Sequence, residues 1–168
     1  PETYYIPRGS SASKIIKLFV DMFWTKVTEE YFGKSDLSIH QAIIMASMIE
    51  KETSLAGEVG LISSVFHNRL NKGMSFQSDP TAIYDTQPYG GVPKSSDIKR
   101  SSPFNTYRIK GLPLTPISNP GILSIRAALF PQQTEYLFFV SKNDRSHYFS
   151  KTYEEHEEAI HRFLRRKK

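Results

Sequence analysis

The chain has 168 residues, no cysteine, and 39% hydrophobic residues. These values fit one soluble globular domain, and the lack of cysteine excludes disulfide frameworks, thiolate metal sites and cysteine nucleophiles. Five basic residues fall in the last seven positions, and without them 17 basic residues balance 17 acidic ones. The C-terminal tail therefore accounts for the whole net charge of +5. We therefore expect no nucleic-acid-binding face on the folded body.

No apolar run reaches the roughly 18 to 20 residues that span a bilayer, and we expect no signal peptide in these residues. The chain begins at Pro1 without a methionine, so we expect a fragment or processed form of a longer protein.

The first third of the chain is predicted to be helical. Apolar residues recur at helical spacing from about 12 to 32, which predicts an amphipathic helix. A capping box at Ser38 and Gln41 then opens the most apolar stretch. Since residues 42–49 are apolar nearly all round, we expect this second helix to lie deep in the core, ending in the charged run 50–52.

A third helix is predicted from about 59 to 71, where apolar residues share one face and Gly73 follows the end. The chain then changes character, because residues 73–120 hold seven of the ten prolines and show no sustained period. Long structureless segments inside compact domains are uncommon and tend to be functional. We therefore interpret this segment as a substrate-binding region.

Regular structure resumes after this segment. A short helix is predicted at about 122–129, and two strands at 136–140 and 147–150 form a predicted β-hairpin. A capping box at Thr152 and Glu155 starts a last helix. The expected fold class is α+β, helix-rich with a small β-sheet.

Two glutamates at the end of the second helix are candidate general acids. Glu50 follows the apolar run directly, so partial desolvation would raise its pKa toward the range that a general acid needs. Glu52 competes for the role, and roughly 200° of helix rotation separates the two side chains. Periodicity does not choose between them, but Ala46 and Ser47 leave room for a ligand beside Glu50, whereas methionines fill the space beside Glu52. A solvated charged helix end is the alternative interpretation.

Amides, a carboxylate and tyrosines cluster around the proline-rich segment. Such groups bind sugars by combining hydrogen bonds to hydroxyls with ring stacking. The alternative is that they form turns and half-buried supports. The candidate glycan contacts are Asn68, Gln77, Asp79, Tyr84, Asn105 and Tyr107.

The histidines do not predict a metal site. His156 and His161 flank a sequence similar to a zinc-binding HExxH motif, but a spacing of five places them on different helix faces. His147 lies in a predicted strand with no other ligand type at useful spacing. We therefore expect neither a metal nor a cofactor.

Several spaced blocks of the chain, in this order, resemble the MltG (YceG-like) endolytic murein transglycosylases. Together they extend over nearly the whole chain. The blocks are Ala46-Ser47-Met48-Ile49-Glu50-Lys51-Glu52-Thr53, residues 65–70, 73–74 and 77–84, Asn105-Thr106-Tyr107, Gly111-Leu112-Pro113, and residues 118–121, 127–128, 136–140 and 147–150.

The resemblance implies cleavage of the β-1,4 bond between N-acetylmuramic acid and N-acetylglucosamine in nascent peptidoglycan strands, leaving a 1,6-anhydromuramyl end. It places the catalytic glutamate at Glu50. It implies peptidoglycan strands as substrate, peptidoglycan synthases as partners, and a single-pass anchor, absent here, that holds the enzyme at the periplasmic face of the inner membrane. It also implies that residues 1–33 end a LysM-like subdomain with its connecting helix, and that residues 34–168 form the catalytic domain.

One acid/base suffices for such a reaction, because the sugar's own 6-hydroxyl replaces water as the nucleophile. The alternative function, from another class, is a non-catalytic glycan-binding or scaffold module of the cell-wall synthesis machinery. That module would bind strands without cleaving them.

Overall fold

The computed structural model describes residues 2–27, 35–86 and 91–164. None of the helices in these ranges is both long and apolar enough to cross a membrane. The basic tail 165–168 and the predicted end of the first helix at about residue 32 lie outside the described residues. In chain order the elements are α1 (Ala12–Lys26), α2 (Ile39–Glu52), α3 (Val59–Asn71), α4 (Asp79–Ala82), α5 (Ser95–Lys99), α6 (Ile122–Leu129), β1 (Phe138–Ser141), β2 (His147–Ser150) and α7 (Tyr153–Phe163).

Helix α2 forms the centre of the core, as its all-round apolar character predicted. The capping box at its start is present: Ser38 Oγ accepts from the Gln41 N–H at 3.3 Å, and Gln41 Oε1 accepts from the Ser38 N–H at 2.9 Å. Met45, Met48 and Ile49 are fully buried. Each such side chain contributes about 1.5 to 3 kcal/mol through removal of apolar surface from water.

The small residues of α2 let another part of the chain approach its backbone closely. Ser47 Oγ accepts from the Ile117 N–H at 2.9 Å, and Ser118 Oγ donates to the Ser47 carbonyl at 2.9 Å. Helix α6 follows this segment and packs against α2 and α3. The core is therefore formed where α2, α3 and α6 pack together, which brings residues far apart in the sequence into contact.

The predicted hairpin is confirmed. Strands β1 and β2 pair antiparallel, with Phe138 opposite Ser150 and Ser141 opposite His147. The turn between them uses positive φ angles at Asn143 (64°) and Arg145 (74°), a backbone conformation that tight hairpin turns require. Helix α7 packs on this small sheet, and the α+β class is confirmed.

The described part of the proline-rich segment around Asn105 is well ordered, because side chains there satisfy backbone groups. Asn105 is fully buried, and its amide donates to the carbonyls of Asp97 (2.9 Å), Ile98 (3.1 Å) and Arg100 (2.7 Å). Asn105 Oδ1 accepts from the Tyr107 N–H at 3.1 Å. These bonds fix the position of Tyr107 and leave Asn105 no surface for a ligand.

Candidate active site

A cleft of about 390 Å³ gathers polar side chains from four parts of the chain. Its walls come from the C-terminal ends of α2 and α3, the segment around α4, Tyr107, and the hairpin together with α7. The polar and titratable residues that line it are Glu52, Arg69, Gln77, Asp79, Tyr107, Ser141, His147 and His156.

Glu52 is the last residue of α2, lies in this cleft and is partly buried. Burial raises the pKa of its carboxyl to about 7, the negative charge of Asp79 acts in the same direction, and a hydrogen bond donated by Ser78 Oγ acts against it. A carboxyl with this pKa is substantially protonated near neutral pH. Glu52 therefore has the protonation state and the location that a general acid needs.

Glu50 has different surroundings and does not line the cleft. Its Oε2 accepts from the Gly121 N–H at 3.0 Å and from Ser124 Oγ at 2.7 Å. These donors belong to the start of α6, where a carboxylate satisfies unpaired backbone N–H groups and interacts favourably with the helix dipole. The expectation of ligand space beside Glu50 is wrong, since the segment from Ile117 to Ser124 fills it.

Asp79 and Tyr107 form a hydrogen-bonded pair in the cleft. Tyr107 Oη donates to Asp79 Oδ1 at 2.6 Å. Burial and the bond to Asp79 raise the pKa of Tyr107, so its hydroxyl stays protonated. The structure thus brings together two predicted site residues beside Glu52.

Gln77 is the third predicted residue in the cleft, and its backbone is strained. Its φ of 54° lies in the left-handed region, which costs a non-glycine residue about 1 to 2 kcal/mol. Two hydrogen bonds stabilise this conformation. The Gln77 N–H donates to the Thr106 carbonyl at 3.2 Å, and Arg69 Nη1 donates to Gln77 Oε1 at 3.3 Å. Such strain concentrates at ligand-binding sites.

Arg69 is buried beneath the cleft and connects α3 to the segment before α4 and to the chain at the start of β1. Its guanidinium donates to the carbonyls of Leu137 (2.6 Å), Ser75 (3.1 Å) and Phe76 (2.7 Å). It also lies over the Phe138 ring, with Cζ 5.0 Å from the ring centroid. The candidate residues chosen from sequence did not include Arg69. Its position among the apolar residues of α3 could have indicated a buried arginine with a structural or binding role.

The structure does not place the remaining predicted residues in the cleft. Asn68 donates from its amide to the carbonyls of Thr134 and Tyr136, both at 2.9 Å, so it supports the chain that enters β1. The Tyr84 ring packs against Phe104, with centroids 4.9 Å apart. Together with the buried Asn105, these residues support the walls and do not line the cleft.

The Asp79→Asn substitution is expected to shift the pH dependence of any activity that uses Glu52 as an acid. Removing the negative charge lowers the pKa of Glu52, so the acid form is lost at lower pH, by up to about one pH unit. The measurement is the rate against pH for wild type and Asp79→Asn. Asp21→Asn, on the exposed face of α1, is the matched control and should leave the profile unchanged; an unchanged profile in Asp79→Asn would contradict the coupling.

The raised pKa of Glu52 also predicts a pH-dependent free energy of unfolding. The folded state binds this proton more tightly than the unfolded state, so the stabilisation is present below pH 4.5 and is lost as the pH rises through about 7. The loss amounts to about 3 kcal/mol and should be missing in Glu52→Gln. Urea unfolding of wild type and Glu52→Gln between pH 4 and 8 measures it; parallel curves for the two proteins would contradict the prediction.

Comparisons with known proteins agree with this architecture. An endolytic murein transglycosylase of Bacillus subtilis (strain 168) is 35% identical over 167 residues, which cover 98% of this chain and 46% of that protein. A Streptococcus pneumoniae serotype 2 protein of the same name is 24% identical over 168 residues, covering 95% of this chain and 30% of that protein. A crystal structure of a YceG-like protein from Listeria monocytogenes matches with a TM-score of 0.82 and 37% identity, covering 93% of this chain and 51% of that one.

The chain thus spans about half or less of the length of these relatives. A family model described as the YceG-like family matches residues 1–162. The resemblance seen in the sequence blocks is therefore confirmed, and the chain belongs to the YceG-like family.

Proposed function

We propose that this chain carries the catalytic part of an endolytic murein transglycosylase, with Glu52 as its general acid/base. The observation that carries the proposal is the Glu52 carboxyl, which lies in a cleft and has a pKa of about 7. The name of the Bacillus and Streptococcus relatives supports the substrate and the reaction class. Since every residue that lines the cleft falls within 52–164, we also propose residues 34–168 as the catalytic domain, with residues 1–33 as the end of an N-terminal subdomain.

The first step of the reaction is protonation of the leaving group. The substrate bond is the β-1,4 linkage between N-acetylmuramic acid and N-acetylglucosamine. Protonated Glu52 gives its proton to the glycosidic oxygen, and the bond between that oxygen and C1 of the muramic acid breaks. The pKa of about 7 makes Glu52 an effective proton donor near neutral pH.

The second step closes the 1,6-anhydro ring. The 6-hydroxyl of the same sugar attacks C1, and its proton passes to the Glu52 carboxylate, which restores the acid. Because the nucleophile is intramolecular, correct positioning can contribute roughly 7 to 11 kcal/mol to lowering the barrier. Ser78 Oγ, which donates to Glu52 Oε1, stabilises the carboxylate that exists between the two steps.

The substrate contacts that we propose are Gln77, Asp79 and Tyr107. The exposed Gln77 amide donates and accepts, as sugar hydroxyls require. Tyr107 offers a ring face for sugar stacking, and its hydroxyl is oriented by Asp79. Asp79 holds that hydroxyl and keeps the proton affinity of Glu52 high.

The substrate places the protein outside the cytoplasm, because peptidoglycan is a cell-wall polymer. We propose an extracytoplasmic site of action, and for the longer protein a membrane anchor and peptidoglycan synthases as partners. These last two proposals rest on the family resemblance.

The test of the function is the mass of the products formed from purified glycan strands. Wild type is expected to produce internal fragments whose muramic acid ends are lighter by one water than hydrolysis products, and Glu52→Gln should produce none. Hydrated ends would instead indicate a hydrolase, in which Asp79, the second carboxylate of the cleft, activates water. Binding without any fragments would indicate the scaffold module.

A further inference from the structure

The cleft contains two histidines that the proposed reaction does not use. His147 comes from the start of β2 and His156 from α7. Both line the same cleft as Glu52. The imidazoles therefore belong to the surface that a bound glycan strand would meet.

His147 is held by Glu58, the residue before α3. Glu58 Oε1 accepts from the His147 backbone N–H at 2.9 Å, and Glu58 Oε2 lies 2.7 Å from His147 Nδ1. The two side chains are only 12% and 14% exposed. Since a carboxylate accepts and does not donate, the proton of the neutral imidazole lies on Nδ1 and the lone pair lies on Nε2.

The ring of His147 is fixed on its other sides by aromatic contacts. Its centroid lies 5.5 Å from that of Phe139 and 6.4 Å from that of Phe149, both near edge-to-face. Within residues 2–27, 35–86 and 91–164, no protein group bonds Nε2. The orientation of the ring is therefore set by the protein, and Nε2 is unbonded within the described residues on a ring that lines the cleft.

His156 adds a second polar atom of the same kind. Its ring stacks on Phe138, with centroids 5.0 Å apart, and its buried Nδ1 has no hydrogen-bond partner among the described residues. Burial lowers the pKa of His156, and the positive charge of Arg69 lowers it further, so the ring stays neutral. A buried polar atom without a protein partner is uncommon, and it makes this wall suited to bind a polar group.

We infer that His147 Nε2 accepts a hydrogen bond from an N–H or O–H group of the bound strand, and that Glu58 is the positioning residue that fixes the imidazole for it. This rests on the proposed function, because it takes the cleft as the glycan site. The donor is either on the sugar, as a hydroxyl or the N-acetyl N–H, or on the stem peptide, as an amide N–H.

Two substitutions of His147 separate substrate contact from support of the fold. The amide nitrogen of His147→Asn takes the place of Nδ1, so it keeps the Glu58 contact and loses the cleft contact. The amide of His147→Gln takes the place of Nε2, so it keeps the cleft contact and loses the contact with Glu58 Oε2, while the backbone N–H of residue 147 still donates to Glu58 Oε1. Asn is expected to weaken strand binding roughly threefold to tenfold, the effect of one hydrogen bond, while Gln, which keeps the acceptor but not the contact with Glu58 Oε2, should bind more tightly than Asn.

The binding measurement is made in the Glu52→Gln background, with fluorescent glycan strands that carry stem peptides and with strands from which an amidase has removed them. A loss in His147→Asn on both substrates assigns the donor to the sugar, and a loss only on peptide-bearing strands assigns it to the stem peptide. Because this assay needs no turnover, its result is independent of whether wild type cleaves strands.

The role of Glu58 is tested by the His147 tautomer. In wild type, the imidazole ¹⁵N spectrum should report the Nδ1–H form, and in Glu58→Leu this preference should be lost. In enzymes with Glu52 intact, KM should rise in Glu58→Leu and His147→Asn with kcat changed less than twofold. The inference is overturned if both His147 variants bind as wild type does, or if both lose binding equally together with thermal stability.

Discussion

The Glu52→Gln variant is expected to cleave glycan strands roughly a hundredfold to ten-thousandfold more slowly than wild type, the range lost when a general acid is removed. The amide has the shape of the carboxyl and still accepts from Ser78 Oγ, but it has no proton to give to the glycosidic oxygen. The variant should fold, because it removes a carboxyl that is costly to ionise in its buried position. Single-turnover cleavage of labelled strands measures the effect.

Glu50→Gln is the matched control for this prediction. Its carboxylate caps the start of α6, so the substitution should cost about 1 kcal/mol of stability and leave the cleavage rate within a few-fold of wild type. Normal cleavage by Glu52→Gln combined with strongly slowed cleavage by Glu50→Gln would return the catalytic role to Glu50.

Arg69→Met is expected to lower the free energy of unfolding by about 3 to 5 kcal/mol, the cost of leaving several buried carbonyls without a donor. The guanidinium satisfies carbonyls of Ser75, Phe76 and Leu137, which methionine leaves unpaired. Most domains have only about 5 to 15 kcal/mol in total, so the variant should unfold at much lower urea concentration.

The Arg69→Met substitution should also disturb the cleft. Gln77 accepts from Arg69 in a strained backbone conformation, so the cleft wall it forms would relax in Arg69→Met. Arg108→Met replaces an exposed arginine and should change stability by less than about 0.5 kcal/mol. A loss below about 1 kcal/mol in Arg69→Met would contradict the structural role given to this residue.

The elements that sequence predicted well are those with local signals. Capping boxes at Ser38 and Thr152 begin helices where expected, and both strands of the hairpin are present. The short helices α4 and α5 were not predicted, because each forms less than two turns and is stabilised by the surrounding segment.

The choice between Glu50 and Glu52 could not be made from sequence, because helical periodicity does not reveal what packs on each face. Small residues beside Glu50 were interpreted as space for a ligand, but they make space for the chain that leads into α6. The resemblance placed the catalytic role at Glu50. Our proposal of Glu52 instead rests on its position in the cleft, which Glu50 does not line.

The amides illustrate a second limit. Asn68 and Asn105 have the chemistry of sugar-binding residues, yet both use their amides on backbone carbonyls. A segment with little regular structure has many backbone groups that need partners, and nearby amides supply them. The cleft histidine His147 had no local signal at all, since its partner Glu58 lies 89 residues earlier in the chain.

The isotope content of the product ends tests the central claim most directly. Glycan strands are digested in H₂¹⁸O, and the new muramic acid ends are weighed. If the 6-hydroxyl is the nucleophile and Glu52 is the acid/base, wild type produces ends without ¹⁸O and Glu52→Gln produces no new ends. Ends that carry one ¹⁸O, or unchanged cleavage by Glu52→Gln, would contradict the account.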